Sequence, residues 1–405
     1  MTEPEYPLPP VEIHISDPTT GLLLQSSSLK SSARIPELDG LRGVAILMVL
    51  VWHYFSCLIG PVERGTAVFL ASRLATLTWS GVDLFFVLSG FLIGGILIDN
   101  FGKQGFVTSF LLRRFFRIAP AYFLFLMVYA VAVNLLSGDQ YAWTLHNDLP
   151  FGSYLLQVQN FFMAFQQSFG SSVLGVTWSL AVEEQFYCLI ILLFILLGGN
   201  KAARVLVLMG LAAPVLRILM PGFHTYVILP FRMDALGFGF AVSIALRSPG
   251  VAAWCEQNVS WIFGAALLLL FGVGAATWKG GMGELQHSFL AVFYAVVLLL
   301  VVLKTGSRLT IPLRFRALSS TGLYSYGIYL YHQFILGVAH GYVLESSPSL
   351  DSMQAILVTA GSLIATFIVA AIAFNLVEAR FIGFGRRFRY EKLSGAALSV
   401  AGTET

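Results

Sequence analysis

Charged side chains are scarce in this 405-residue chain, and that scarcity decides its class. Asp, Glu, Lys and Arg together make up 11% of the residues, while 57% are hydrophobic. A soluble domain carries about 25% charged residues, so most of this chain must face lipid or other membrane helices. The formal net charge of +3 is small, and the basic residues are not gathered into the patch or stripe that binds nucleic acid.

Cysteine is also nearly absent. The three cysteines, Cys57, Cys188 and Cys255, are odd in number, have apolar neighbours and form no Cys-x-x-Cys pair. This pattern argues against a disulfide framework and against a zinc site. The sequence has no Asp-rich cluster either, so we expect no metal in the function of this chain.

Long apolar runs are what the sequence does have. Ten of them are long enough to cross a bilayer as helices, near residues 41–59, 79–98, 116–136, 177–198, 203–219, 228–246, 258–277, 285–303, 323–343 and 354–376. We therefore predict an all-α polytopic membrane protein of about ten transmembrane helices. Residues 1–33 are polar, Ser-rich and without the apolar core of a signal peptide, so we expect a disordered cytoplasmic tail there. The long connection 137–176 contains an aromatic stretch that could lie at the interface or re-enter.

Lys and Arg are unevenly shared between the two sides of this predicted bundle. One side receives Arg64, Arg73 and Lys279, whereas the other receives nearly all the rest, and the loops 137–176 and 344–353 contain none. The side rich in Lys and Arg is the cytoplasmic one. We therefore expect both termini in the cytoplasm, and an even number of spans agrees with that.

Several predicted helices carry ionisable side chains inside their apolar runs. Such a group is costly in a bilayer unless it is paired or faces a wet cavity. These residues are His53, Asp83, Glu183, Glu184, Arg232, Asp234 and His332. With the predicted topology most of them fall at similar depths, in the middle or outer half, which permits one buried polar site.

Structural roles would explain some of the same residues. His53 could form a helix-to-helix hydrogen bond, and Asp83 could pair with a neighbouring helix. Arg232 and Asp234 could pair with each other, or with the glutamates, as a clamp. His332 could belong to a hydrogen-bonded aromatic cluster with Tyr324, Tyr326, Tyr329 and Tyr331.

Three arginines stand close together just before the predicted third helix. In "LLRRFFRIAPAYF", Arg114 and Arg117 are three residues apart and would project from one helical face. One or two arginines would satisfy ordinary anchoring on the cytoplasmic side. Three, with Arg113, also suit bidentate capture of a phosphorylated ligand, and both interpretations stay open.

Taken together, these motifs resemble the acyltransferase family 3 membrane transacylases. The segment "ELDGLRGVAILMVLVWHYF" has Arg42 and His53 separated by ten residues, as in that family, and "RRFFRIAPAYF" carries its Arg-x-x-Arg as Arg114 and Arg117. "GVDLFFVLSGFLIGGIL", "TWSLAVEEQFY", "FRMDALGFG" and "YSYGIYLYHQF" match other family segments in the expected order. The resemblance covers about residues 34–380, so we predict a ten-helix membrane acyltransferase domain there and a basic cytoplasmic tail over 381–405.

The resemblance implies an activity and a location. Members of the family move an acyl group, commonly acetyl, from cytoplasmic acyl-coenzyme A to a hydroxyl of a sugar, a lipid-linked glycan or a natural product. We therefore expect an acyl-CoA-dependent O-acyltransferase in the bacterial cytoplasmic (inner) membrane. We also expect a stand-alone member without the extra SGNH-type domain of some relatives.

Roles for the candidate residues follow from that chemistry. His53 is the expected general base, because neutral imidazole can take a hydroxyl proton near pH 7, and Glu183 or Glu184 could orient its ring. Arg42 is expected to bind the acyl-CoA donor together with Arg113, Arg114 and Arg117. The acceptor or supporting polar site is expected to contain Asp83, Trp178, Ser179, Arg232, Asp234, Tyr329 and His332. Ser179 could instead be an acylated relay, but nothing in its context marks a nucleophile, so we favour direct transfer.

Two other function classes remain open from the sequence. A polytopic transporter of a small anionic or sugar-like solute would also need buried charges, but it would more often show internal repeats and broken helices. A transferase with a lipid-phosphate donor would also use the arginines, but it would usually add an Asp-rich metal motif.

Overall fold

A computed structural model describes residues 35–60, 65–278 and 281–390 of the chain. Within these ranges the backbone is helical, with no β-strand. The chain is an all-α polytopic membrane protein. The tail predicted over 1–33 and most of the one predicted over 381–405 lie outside the described residues.

The described residues contain ten long helices. They are α1 (Pro36–Val51), α2 (Gly81–Asn100), α3 (Phe106–Leu135), α4 (Trp178–Leu197), α5 (Gly199–Leu219), α6 (Met233–Ala245), α7 (Val259–Trp278), α8 (Gln286–Leu303), α9 (Ser325–Leu344) and α10 (Met353–Ala373). Shorter helical segments extend or connect them, among them Trp52–Ser56 after α1, Ala67–Ala75 and Thr76–Ser80 before α2, Leu229–Arg232 before α6, and Phe374–Glu378 and Ala379–Gly385 after α10.

Nearly all of the ten predicted spans coincide with helices that are long and apolar enough to cross a membrane. Over the described ranges, eight helices are long and apolar enough to cross a membrane, or nine if the bent pair Leu229–Ala245 and Pro249–Gln257 counts as one span. The remaining predicted span corresponds to α9. This helix has 20 residues, but it contains two histidines, a glutamine and several tyrosines, which lower its hydropathy.

The helix ends differ from the predicted spans at two places. Helix α3 begins at Phe106, ten residues before the predicted span, so the three clustered arginines lie within the helix instead of preceding it. Helical structure after α10 continues to Gly385, past the point where the basic tail was predicted to begin. In both places the helix continues beyond the apolar run, because protein contacts stabilise helical turns that hydropathy does not detect.

Helices α2 and α6 pack backbone against backbone. A Cβ atom on Gly90 would lie 2.0 Å from the carbonyl oxygen of Leu236, and one on Gly239 would lie 2.0 Å from that of Val87. Only glycine allows such an approach, which is how small residues drive helix association in lipid. The contact fixes the polar groups of α2 beside those at the start of α6.

A π-helical turn over Trp52–Ser56 continues α1 and carries His53. The amide of Cys57 donates to the carbonyl of Trp52 at 2.8 Å, five residues back, so one more residue than usual fits into this turn. π-Helical turns within α-helices often occur at functional sites. Here the turn places His53 beside α9.

The long connection 137–176 folds into short helices instead of one interfacial segment. Its polar side chains bind helix ends, because Gln159 donates to the carbonyl of Thr177 at 2.9 Å and Asn160 to that of Val227 at 3.1 Å. Tyr154 is fully buried, whereas Phe165 is exposed. The segment therefore packs partly between helices and leaves an aromatic face outward.

Candidate active site

One large cavity lies at the end of the bundle where α1, α3 and α9 begin and α2, α6 and the last helix end. Its volume is about 870 Å³. Eight of the described cationic side chains line it, namely Arg42, Lys103, Arg113, Arg114, Arg117, Arg247, Arg386 and Arg389. The four arginines predicted to bind the donor therefore meet in one place, although α1 and α3 are distant in sequence. The acidic residues on its wall are Asp39, Glu183 and Glu378.

Glu183 is an anion that lines this cationic cavity close to Arg117. Its Oε1 accepts a hydrogen bond from Ser89 at 2.5 Å and another from the Tyr187 hydroxyl. The guanidinium of Arg114 lies 5.9 Å from the Tyr187 ring centroid. Arg117 lies within electrostatic range of Arg114 and also of Arg42 and Glu183. Glu183 therefore belongs to the arginine cluster, where it offsets part of the positive charge.

His53 and His332 form a pair, and this pair was not predicted. His53 Nδ1 lies 3.0 Å from His332 Nε2, and His332 Nδ1 lies 2.7 Å from the carbonyl oxygen of Tyr329. A carbonyl only accepts, so His332 Nδ1 carries the proton and, with both rings neutral, His332 Nε2 accepts from His53 Nδ1. His53 Nε2 is then left with its lone pair, which is the form a general base requires.

His332 is held firmly in this position. It is fully buried, and its own carbonyl accepts a hydrogen bond from the Tyr54 hydroxyl at 2.9 Å. The ring is held through Nδ1 by the Tyr329 carbonyl. The structure thus gives His53 a histidine partner instead of the predicted glutamate. Glu184 Oε1 is buried and, among the described residues, makes no hydrogen bond.

Ser179 and Tyr329 connect the cavity with the histidine pair. Both line the cavity, and their hydroxyls lie 2.6 Å apart. The Tyr329 hydroxyl donates to the carbonyl of Val176 at 2.7 Å, and the Ser179 hydroxyl lies 3.3 Å from the same carbonyl. Neither His53 nor His332 lines the cavity, but Tyr329 does, and its main-chain carbonyl contacts His332. The hydrogen-bond partners of Ser179 are Tyr329 and Val176, and among the described residues no histidine is hydrogen-bonded to it.

The remaining predicted residues form buried ion pairs nearer the opposite end of the bundle. Arg232 donates to Asp83 and lies against the ring nitrogen of His287. Its guanidinium also lies 5.8 Å from the Trp178 ring centroid and 5.5 Å from that of Tyr226. The interpretation of Asp83 as the partner of a neighbouring helix is confirmed. Trp178 therefore packs on this clamp as well as next to Ser179.

Asp234 has a different partner. Arg217 donates to Asp234 Oδ2 at 2.6 Å, and Ser288 donates to the same oxygen at 2.8 Å. The suggested Arg232–Asp234 pair therefore does not form. Neither Arg217 nor His287 was singled out from the sequence. Arg217 follows a proline in an apolar run, which marks a buried charge, whereas His287 lies at a helix start and gives no such signal.

Metal ligation finds no support in the described part of the chain. Over residues 35–60, 65–278 and 281–390, no group of three or more His, Cys, Asp and Glu side chains could hold a metal ion.

Comparison with known proteins identifies the family. A family model described as an acyltransferase domain matches residues 35–374. The chain belongs to acyltransferase family 3. Every candidate site residue predicted from the sequence lies within the matched range, whereas Arg386 and Arg389, which also line the cavity, lie beyond it.

Three bacterial proteins are among those similar to this chain. The chain is 28% identical over 410 residues to the peptidoglycan O-acetyltransferase OatA of Listeria monocytogenes, covering 91% of this chain and 61% of the relative. It is 30% identical over 329 residues to YrhL of Bacillus subtilis (strain 168), provisionally named a peptidoglycan O-acetyltransferase, covering 74% of this chain and 48% of YrhL. A provisionally named O-acetyltransferase of Staphylococcus aureus (strain COL) is 25% identical over 87% of this chain and 58% of its own length. The chain thus spans about half to three fifths of these relatives. No solved structure matches it.

Proposed function

We propose that this chain is a membrane O-acyltransferase that moves an acyl group, in the simplest case acetyl, from acyl-coenzyme A to a hydroxyl of a carbohydrate or glycolipid. The observation that carries the proposal is the cavity of about 870 Å³, lined by eight cationic side chains and by Tyr329, whose main-chain carbonyl contacts the His332–His53 pair. Acyl transfer from acyl-coenzyme A to an alcohol requires a binding site for this large anionic donor and a general base for the hydroxyl proton.

The donor side of the proposal rests on charge. Coenzyme A carries a diphosphate and a 3′-phosphate, and guanidinium groups bind phosphates through paired, charge-assisted hydrogen bonds. Arg42 lies eleven residues before His53, which corresponds to roughly 16 Å along a helix. That distance suits phosphates held by the arginines while the extended pantetheine arm carries the thioester inward to the histidine.

The proposed reaction is direct transfer. His53 Nε2 takes the proton of the acceptor hydroxyl as that oxygen attacks the thioester carbonyl, and the C–S bond breaks to release coenzyme A as thiolate. The proton held by His53 then passes to that sulfur. His332 acts as a positioning residue, because its Nε2 receives the Nδ1–H of His53 throughout and so keeps the ring in one tautomer.

The acceptor proposal comes from the relatives' names. Those relatives are named for O-acetylation of peptidoglycan, so a glycan hydroxyl on the outer side of the membrane is the acceptor class we propose. Asp83, Arg232 and Asp234 are each engaged in a buried ion pair. We assign them a supporting role that holds Trp178 and Ser179 in place.

The proposed location is the bacterial cytoplasmic membrane, with both termini in the cytoplasm. With this orientation the cationic cavity is reached from the cytoplasm, where acyl-CoA is found. Arg389 lines the cavity and is exposed, so the cavity is open to solvent at this residue.

The experiment combines binding and transfer. Purified protein in detergent should be stabilised against thermal unfolding by acetyl-CoA and by coenzyme A, and cells expressing it should gain base-labile acetate on surface glycans. A transporter would show solute uptake without acetate transfer. A protein that neither binds coenzyme A nor transfers acetate would refute the proposed function.

A further inference from the structure

The segment after α10 is attached firmly to α3. Arg113 Nε donates to the carbonyl of Phe388 at 2.6 Å, and the Ser109 hydroxyl donates to the carbonyl of Arg389 at 2.8 Å. The Phe116 ring is stacked with that of Phe388, with centroids 5.9 Å apart and planes 5° apart. These contacts hold residues 386–390 against the first turns of α3, beside the donor cavity.

This attachment gives the cavity a wall that the family match does not include. Arg386, Arg389 and Tyr390 all line the cavity, and they lie beyond residue 374, where the matched domain ends. Arg387, between them in sequence, is exposed, does not line the cavity and packs over Phe384 at 5.2 Å. Side chains of the same segment thus divide into a cavity-facing set and an outward-facing one.

Tyr390 has the surroundings of a base-stacking residue. The Arg113 guanidinium lies 4.7 Å from its ring centroid, within cation–π range, and Arg114 lies nearby. Burial raises the pKa of the Tyr390 phenol, so the ring stays neutral at physiological pH. Aromatic rings and guanidinium planes are the groups on which proteins stack nucleobases.

We propose that residues 386–390 form the nucleotide subsite of the donor cavity. In this subsite an adenine ring stacks against Tyr390 and Arg113, while Arg389 contacts the attached phosphates. The ligand class is an adenosine 3′,5′-bisphosphate group, the nucleotide end of coenzyme A. This inference rests on the proposed function, because it assumes that an acyl-CoA occupies the cavity. It assigns Arg114 and Arg117 to the diphosphate and residues 386–390 to the nucleoside and its attached phosphates.

The test measures binding of two ligands to four proteins. Full-length wild type, Tyr390→Ala, Arg389→Ala and the control Arg387→Ala are titrated in detergent with acetyl-CoA and with acetyl-pantetheine, which lacks the nucleotide. We expect Tyr390→Ala and Arg389→Ala each to weaken acetyl-CoA binding about tenfold or more. Acetyl-pantetheine binding should change less than twofold, as should both ligands with Arg387→Ala. Tyr390→Phe keeps the stacking surface and should bind like wild type.

Competition separates base stacking from charge. Adenosine 3′,5′-bisphosphate should displace acetyl-CoA from wild type far better than inorganic pyrophosphate does, and Tyr390→Ala should remove that advantage. Equal competition by pyrophosphate, or wild-type affinity in both alanine variants, would overturn the nucleotide subsite. Equal weakening of acetyl-CoA and acetyl-pantetheine binding would also overturn it, because residues 386–390 would then act only by supporting the structure. If wild type binds no acetyl-CoA, the proposed function fails as well, so the two failures are distinguishable.

Discussion

His332 Nε2 lies 3.0 Å from His53 Nδ1, although the two residues are 279 positions apart. The Tyr329 carbonyl takes the other ring proton of His332, so the direction of both hydrogen bonds is fixed for neutral rings. One histidine therefore sets the tautomer of the other. In serine hydrolases a carboxylate has this orienting role, and here an uncharged ring and a main-chain carbonyl take its place in apolar surroundings.

His332 should behave as a positioning residue. His332→Ala removes the acceptor for His53 Nδ1–H, and we expect kcat for acetyl transfer to fall about 10- to 100-fold while KM for acetyl-CoA stays within about twofold. His332→Gln offers a carbonyl oxygen at a similar place and should recover part of kcat. Equal activity of the alanine and glutamine variants would show that His332 serves packing instead.

The arginines of α3 should control donor affinity. Arg114→Ala and Arg117→Ala should each weaken acetyl-CoA binding by about 1.5–3 kcal/mol for a charged hydrogen bond lost. Lysine at either position should restore only part of the acetyl-CoA affinity, since a point charge cannot reproduce the guanidinium fork. Calorimetric titration measures this, with the exposed Arg204→Ala on α5 as the control. Unchanged acetyl-CoA affinity in both alanine variants would show that these arginines only anchor the helix at the cytoplasmic side of the membrane.

The buried Asp83–Arg232 pair should matter for stability more than for donor binding. Each side chain is 1% exposed, so Asp83→Asn leaves a buried guanidinium without its counter-charge, at a cost of about 3–5 kcal/mol. A large fall in the thermal unfolding temperature in detergent is expected. Asp148→Asn is the control, because the His146–Asp148 pair is exposed and such pairs contribute little. Similar small shifts of the unfolding temperature in both variants would contradict a stabilising role for the Asp83–Arg232 pair.

The orientation can be tested with single cysteines. In a background without Cys57, Cys188 and Cys255, Ser347→Cys should react with a membrane-impermeant maleimide added to intact cells, and Arg308→Cys should react only after lysis. Both positions are exposed. The reverse pattern would place the cationic cavity on the outer side and remove the access of cytoplasmic acyl-CoA on which the proposed function depends.

Helix positions could be predicted because long apolar runs are required by the bilayer. The exceptions have physical causes. The start of α3 contains arginines that point into a cavity, so its first turns lack the apolar signal although they are helical. Helix α9 contains His332 and several tyrosines. These residues lower its mean hydropathy below the value expected of a membrane-spanning helix.

The partners of buried charges could not be predicted, because sequence gives depth in the membrane but not the direction in which a side chain points. Arg232 and Asp234 are two residues apart, and such neighbours do not face each other on a helix. Arg232 instead contacts Asp83, 149 positions away, and Asp234 contacts Arg217, 17 positions away. The same limit explains why Glu183, although placed at a suitable depth, joins the arginines and His332 joins His53.

The most direct test of the proposed chemistry is acetyl transfer by His53→Gln, measured beside acetyl-CoA binding in the same preparation. Glutamine can keep a hydrogen bond to His332 but cannot accept a proton. We expect the dissociation constant of acetyl-CoA to stay within about threefold of wild type, while the transfer rate falls by about 10²–10⁴, the usual loss for a general base. A transfer rate reduced only two- or threefold, with donor binding intact, would contradict the assignment of His53 as the base.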